Sequence, residues 1–297
     1  MRRVVPAFVL AVLAAAAGCS GAPAPARHPA APASYYLALG DSLAQGVQPD
    51  ATGTSVPTGQ GYANVLYTAL RRHDSGLRLV KLGCLGETTA TMIHGGICHY
   101  PGGSQLAAAV GFLRAHRGHV TLITLDIGAN DPEACLKASI SQIASCVSRF
   151  LPQARSDLRT ILTRLREVAA ATRTIAMNYY LPALAQWRHG LAGELIARVG
   201  ELATSGYNGV LTGIYQSYGV SVANVFGAFH TADFSPQVSV PGLGLLPRNV
   251  ATICQWTWEC APAPRGPNQH PNQVGYQVIA RAFQAADSSK PAGGQPA

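Results

Sequence analysis

Five short apolar runs, at 35–39, 77–82, 120–127, 174–180 and 219–225, alternate with longer stretches at 63–72, 103–115, 151–171, 191–218 and 273–286 whose apolar residues recur at helical spacing. Strands with one wet face read as apolar–polar alternation, whereas strands covered on both faces read as continuous apolar runs. Strand–helix alternation therefore predicts an α/β chain of three layers: a central parallel sheet of about five strands, helices on both faces and right-handed crossovers. No internal repeat interrupts it. Residues 232–259, rich in Gly, Pro and large apolar side chains, break the rhythm and are expected to form a long ordered loop.

The ends of the chain read differently. Arg2-Arg3 precedes an apolar run over 4–17 and then Gly18-Cys19, so residues 1–18 read as a secretory leader, too short to span a bilayer. Ala16-Ala17-Gly18-Cys19 approximates a lipobox, which would make Cys19 a lipidated first residue and the protein a cell-surface lipoprotein; cleavage with free secretion is the alternative. Residues 19–34 are an Ala/Pro-rich stretch with almost nothing to bury, expected to be an extended tether. Residues 35–288 hold the folded domain, and 289–297 read as a disordered tail. Without Cys19, six cysteines remain: Cys84, Cys98, Cys135, Cys146, Cys254 and Cys260. An even count in an exported chain points to three disulfides, with fifteen pairings open. A zinc site from Cys84, His94, Cys98 and His99 is disfavoured by the oxidising compartment and the missing Cys-x₂-Cys spacing. No metal or cofactor is expected.

The net charge is +8, falling to +6 once Arg2 and Arg3 leave with the leader. Its basic residues are scattered, the densest being Arg71-Arg72 and the spread Arg155, Arg159, Arg164, Arg166, which read as solvated helix faces. With no basic run and no interleaved aromatic platform, nucleic acid is excluded as a partner.

Chemistry concentrates in four places. Residues 37–46 read LALGDSLAQG: an apolar strand, a glycine able to make a tight turn, and Ser42 exposed at the strand's carboxyl end. Residues 82–89 read LGCLGETT, 125–131 read LDIGAND, and 270–275 read HPNQVG. In this order the four resemble the sequence blocks of the GDSL esterases and lipases, the SGNH hydrolase superfamily, over roughly 35–286. The resemblance implies a flavodoxin-like SGNH hydrolase fold and hydrolysis of a small-molecule or lipid ester. Ser42 becomes the nucleophile and His270 its general base. The backbone N–H groups of Ser42 and Gly86 and the Asn130 side-chain amide become the oxyanion donors. Nearest-neighbour disulfides, Cys84–Cys98, Cys135–Cys146 and Cys254–Cys260, follow both the clustering of the cysteines and some actinobacterial relatives.

His270 alone among nine histidines is followed by Pro-Asn and a helical pattern, which places it on a loop before a helix. In the family an Asp stands three, sometimes two, residues before this histidine; here those positions are Pro267 and Asn268. The expectation is a Ser–His dyad in which a backbone carbonyl between residues 265 and 268 takes the Nδ1 proton. The Asn268 amide, able also to donate, is the less safe partner. Asp233 and Glu259 are remote candidates with no positional argument. Leu243, Leu245, Leu246, Trp256 and Trp258 either wall an acyl pocket or pack beneath the 232–259 loop. Two other functions stay open: an O-acetylesterase of envelope polysaccharide, and a catalytically silent lipoprotein that binds glycan or lipid, for which the missing acid is the best support.

Overall fold

The computed structural model describes residues 33–132 and 140–288. The leader, the tether up to residue 32, Cys135 and the tail from residue 289 lie outside the described residues. In chain order the elements are β1 (Tyr35–Gly40), α1 (Ser42–Gln45), β2 (Gln48–Pro49), β3 (Ser55–Val56), α2 (Tyr62–Leu70), β4 (Arg78–Lys81), α3 (Thr89–His94), α4 (Gln105–Ala115) and β5 (Val120–Asp126). There follow α5 (Ile140–Ala169), β6 (Arg173–Met177), a 3₁₀ segment (Pro182–His189), α6 (Gly190–Ser217), β7 (Ser221–Ala223), α7 (Val225–Ala228), β8 (Gln237–Val240), β9 (Gly244–Pro247), α8 (Arg248–Trp256) and α9 (Gln273–Ser288).

The main sheet has the order β4-β1-β5-β6-β7, with every pairing parallel. All five expected strands are present; four of the expected helices stand between them, and the fifth, α9, follows β7. The helix expected from residue 151 begins earlier, at Ile140, and runs through Pro152. Strand β1 is flanked on both sides, and Tyr36, Leu37, Ala38 and Leu39 are all inaccessible to solvent, as are Ile123 and Leu125 of β5. This explains why the runs are apolar throughout. Helix α5 buries Ala154, Leu158, Ile161, Leu162 and Leu165, one stripe at helical spacing, while Arg155, Arg159, Arg164 and Arg166 face solvent. Helix α9 closes the other side, with Phe283 stacked on Tyr62 at 4.6 Å between ring centroids.

Residues 232–259 are ordered as expected, but they correct the expectation of a single long loop. They contain the antiparallel β8–β9 hairpin and α8, which starts directly after Pro247. Gly and Pro mark the turns and the helix start here, and a proline at a helix start costs no hydrogen bond. The large side chains divide. Leu246 is buried and Trp256 packs edge-on against Phe229, while Leu245 stands 71 % exposed.

From β1 the chain passes to β4 on one side and then crosses to β5 on the other. The carboxyl ends of β1 and β5 therefore flank the point where strand order reverses, the place where open parallel sheets bind ligands.

Candidate active site

Ser42 follows β1 at that reversal point and is the first residue of the short helix α1. Gly40 turns the chain with φ of 133°, a conformation that side chains rarely adopt, and a Cβ there would lie 2.0 Å from the backbone oxygen of Asp126. Beyond the part of β1 that pairs with β4, a side chain takes over the ladder's role on that edge. The Gly40 N–H donates to Gln105 Oε1 at 2.7 Å, and Gln105 Nε2 donates to the Gly40 carbonyl at 2.8 Å.

Two buried carboxylates hold the serine turn from beneath. Asp41 Oδ1 accepts from the Leu43 N–H at 2.9 Å, and Asp126 Oδ2 accepts from the Ala44 N–H at 3.0 Å. Tyr62 donates its hydroxyl to Asp126. Burial pushes Asp41 up to about 7 and Asp126 well above the ordinary carboxylate range, the second carboxylate's charge adding to the effect on Asp126. Burial of the two carboxyls thus favours the neutral form of each. Groups whose folded pKa is raised favour the fold fully below the unfolded value and lose that contribution as pH rises through the folded one. His270, whose shift is downward, acts in the opposite direction below about 6.5, so the comparison belongs between pH 6.5 and 8.5. Over that range the thermal midpoint is expected to fall by several degrees more in the parent than in Asp126→Asn. Parallel curves from calorimetry would exclude a proton held by these carboxyls in the fold.

The second and third blocks meet across the crevice. Asn130 Nδ2 donates to the Glu87 carbonyl at 2.8 Å, and the Thr89 N–H donates to Asp131 Oδ2 at 3.1 Å. An amide nitrogen carries two hydrogens, so this bond leaves the second available. Gly86 has φ of +80° and nothing within 4 Å of where a Cβ would sit, open space for a ligand's approach. Glu87 itself is buried and accepts from Gln105 Nε2 at 3.0 Å, linking this turn to Gly40.

His270 lies at the same end of the molecule, on the loop before α9. Tyr276 donates to the Val47 carbonyl at 2.8 Å, Trp258 Nε1 donates to Gln48 Oε1 at 3.2 Å, and Asn268 Nδ2 donates to Ser55 Oγ at 2.9 Å. Val47 in turn donates its N–H to the Ser42 carbonyl. Three bonds thus bind the histidine segment to the chain that directly follows the serine. Tyr180 also holds the loop, donating to the Gln269 carbonyl at 2.8 Å. The imidazole is 5 % exposed, and burial pushes it down to about 4, so it is neutral near pH 7. Its Nε2 is buried with no hydrogen-bond partner among the described residues.

The expectation of a backbone carbonyl at Nδ1 is corrected. Nδ1 lies 2.7 Å from Asn268 Oδ1, a side-chain amide oxygen and not a main-chain carbonyl. The physical reason is the local turn: the His270 N–H donates to the same oxygen, drawing the amide under the ring. The remote candidates are engaged elsewhere or apart. Asp233 pairs with His230 at 3.1 Å, and Glu259 makes no bond to His270. Ser55, Gln105 and Asp126 were missed; of these only Asp126 carried a signal, an acid ending a buried apolar run.

Cys84–Cys98 and Cys254–Cys260 are closed, and closed thiols rule out the zinc alternative at Cys84 and Cys98. Cys146 is disulfide-bonded, while its expected partner Cys135 lies outside the described residues. The first bridge anchors the turn before Gly86. The second closes the segment holding Trp258, whose N–H donates to the His270 carbonyl at 3.0 Å. Loops of this size stabilise by roughly 2–3 kcal/mol each in the chain-entropy treatment.

Comparison with known proteins agrees with this architecture. The family described as GDSL-like lipase/acylhydrolase matches residues 38–278. Among solved structures, an extracellular lipase from Streptomyces rimosus is similar in fold, with a TM-score of 0.53 and 18% identity over 86% of this chain and 100% of that one. Phospholipase A1 from Streptomyces albidoflavus is similar too, with a TM-score of 0.53 and 16% identity over 86% of this chain and 100% of its own. A GDSL-like lipase from Parabacteroides merdae gives 0.53 and 14% over 86% and 96%. No curated protein matches the chain. Matched over most of its length and carrying the fold those structures share, the chain belongs to the GDSL-like lipase/acylhydrolase family and is an ester hydrolase.

Proposed function

We propose that the protein is an exported serine ester hydrolase that works through an acyl-enzyme on Ser42. Ser42 Oγ attacks the ester carbonyl carbon while its proton passes to His270 Nε2. The carbon–oxygen bond to the alcohol then breaks, and His270 returns that proton to the leaving alkoxide. Water enters and the same steps release the acid. The N–H groups of Ser42 and Gly86 and the second amide hydrogen of Asn130 receive the oxyanion. The observation that carries this reading is His270 itself: a buried neutral imidazole whose Nε2 has no partner among the described residues, on a loop bonded to the chain that follows Ser42.

Apolar acyl esters are the favoured substrates. Leu85, 44 % exposed, stands beside Gly86, and Ile97, 46 % exposed, stands beside the Cys84–Cys98 bridge, so the approach to the oxyanion site is apolar. Two proteins of similar fold are named a lipase and a phospholipase A1. Export draws support from the two closed disulfides, which persist in oxidising compartments. Lipid attachment at Cys19, holding the enzyme at a membrane surface, belongs to the same proposal.

A fluorophosphonate probe is expected to label the wild type at Ser42 and to leave Ser42→Ala unlabelled. Turnover of p-nitrophenyl esters is expected to peak at acyl chains longer than acetate. A maximum at acetate would favour the polysaccharide deacetylase instead. No labelling, with equal background rates in both proteins, would leave the silent binding lipoprotein.

A further inference from the structure

The atom that faces His270 Nδ1 is not ambiguous. Amide oxygen and nitrogen are interchanged easily when only a hydroxyl or a ring nitrogen is near, because each of those can donate or accept. Here the same Asn268 atom lies 3.1 Å from the backbone nitrogen of His270, and a backbone N–H can only donate. That atom is therefore the carbonyl oxygen. It also lies 2.7 Å from Nδ1, so Nδ1 carries the ring hydrogen and Nε2 keeps its lone pair. The other end of the amide is bound as well, donating to Ser55 Oγ at 2.9 Å. Ser55 begins β3, the second strand of the small hairpin that follows the serine turn.

We infer that Asn268, held by Ser55, is the positioning residue that fixes the His270 tautomer, so that the array is Ser42–His270–Asn268 with a neutral third member. This rests on the reading of Ser42 as nucleophile and His270 as base. A neutral oxygen orients the ring without lending it a negative charge. The imidazolium formed during turnover is consequently less stabilised than it would be beside a carboxylate, and the resting base stays deprotonated further into the acid range. Burial of the ring acts in the same direction. The device favours a base that works at low pH over one of greatest strength.

The test uses the full chain with Asn268→Asp, Asn268→Ala and Ser55→Ala, followed by p-nitrophenyl acetate turnover from pH 4 to 9. Asn268→Asp keeps the shape and the acceptor but adds a charge, so the acid limb of kcat/KM is expected to move up by about one pH unit or more. Asn268→Ala is expected to lower kcat by about 10–10³-fold with KM within about twofold, because the ring loses the acceptor that selects its tautomer. Ser55→Ala leaves the oxygen in place and is expected to lose about 3–10-fold, the size of one supporting hydrogen bond. A residue serving structure alone would lower the folded fraction and leave the acid limb where it was. An Asn268→Asp acid limb matching the wild type, or wild-type kcat in Asn268→Ala, overturns the inference. Should Asn268→Ala fail to fold, the isosteric Asp variant decides alone. Failure of the underlying reading is distinguishable: Ser42→Ala would then hydrolyse the ester as fast as the wild type.

Discussion

Replacing Ser42 with alanine is expected to lower kcat on p-nitrophenyl esters by about 10⁴–10⁶-fold, the range seen when the nucleophile of a serine hydrolase is removed. The thermal midpoint should move by no more than a few degrees. The hydroxyl is small, and the turn that carries it is held by other groups: Asp41 and Asp126 cap the N–H groups of Leu43 and Ala44, and Gln105 pairs with both backbone polar groups of Gly40. His270→Ala should cost nearly as much on its own. The imidazole has no role without a hydroxyl to deprotonate, so the double variant should be no slower than the worse single one. Three rate constants and three melting curves test this. Additive losses would mean that the two residues act in separate steps, and a large fall in midpoint for Ser42→Ala would mean that the serine's work is structural.

Asn130→Ala is expected to reduce kcat by about 10²–10³-fold while KM changes little. Negative charge on the substrate oxygen exists only once the tetrahedral species forms, so a donor aimed at it stabilises the transition state far more than the bound ester. One Asn130 amide hydrogen is already given to the Glu87 carbonyl at 2.8 Å. That bond uses one of the two hydrogens and ties the Asn130 loop to the turn carrying Gly86. The substitution therefore removes a donor and loosens a neighbour of a second donor, which places the expected loss toward the upper end of the range. Steady-state kinetics with a melting curve of the same preparation separates the outcomes. A raised KM at unchanged kcat would assign Asn130 to ground-state binding.

The parts legible in the sequence are those whose signal is local. Continuous apolar runs announced strands buried on both faces, and the observed sheet buries Tyr36 to Leu39 completely. Gly40 before Asp41-Ser42 announced a sharp turn, and its φ of 133° against the Asp126 backbone shows why no other residue fits. The hairpin and helix within residues 232–259 stayed hidden because their turn and start residues, Gly and Pro, also mark irregular chain.

What the sequence determined by itself was the layered α/β class and the sharp turn at Gly40 before Asp41-Ser42, because each depends on residues that neighbour one another along the chain. What only the tertiary structure decided was how those groups are tuned. Asp126 came beneath Asp41 through the pairing of β5 with β1, and Asn268 came to face His270 Nδ1 with Ser55, distant in sequence, holding its far end. An amide can turn either face to a ring, and a carboxyl can be charged or neutral. Which state each adopts depends on the donors, acceptors and solvent that the completed fold places around it.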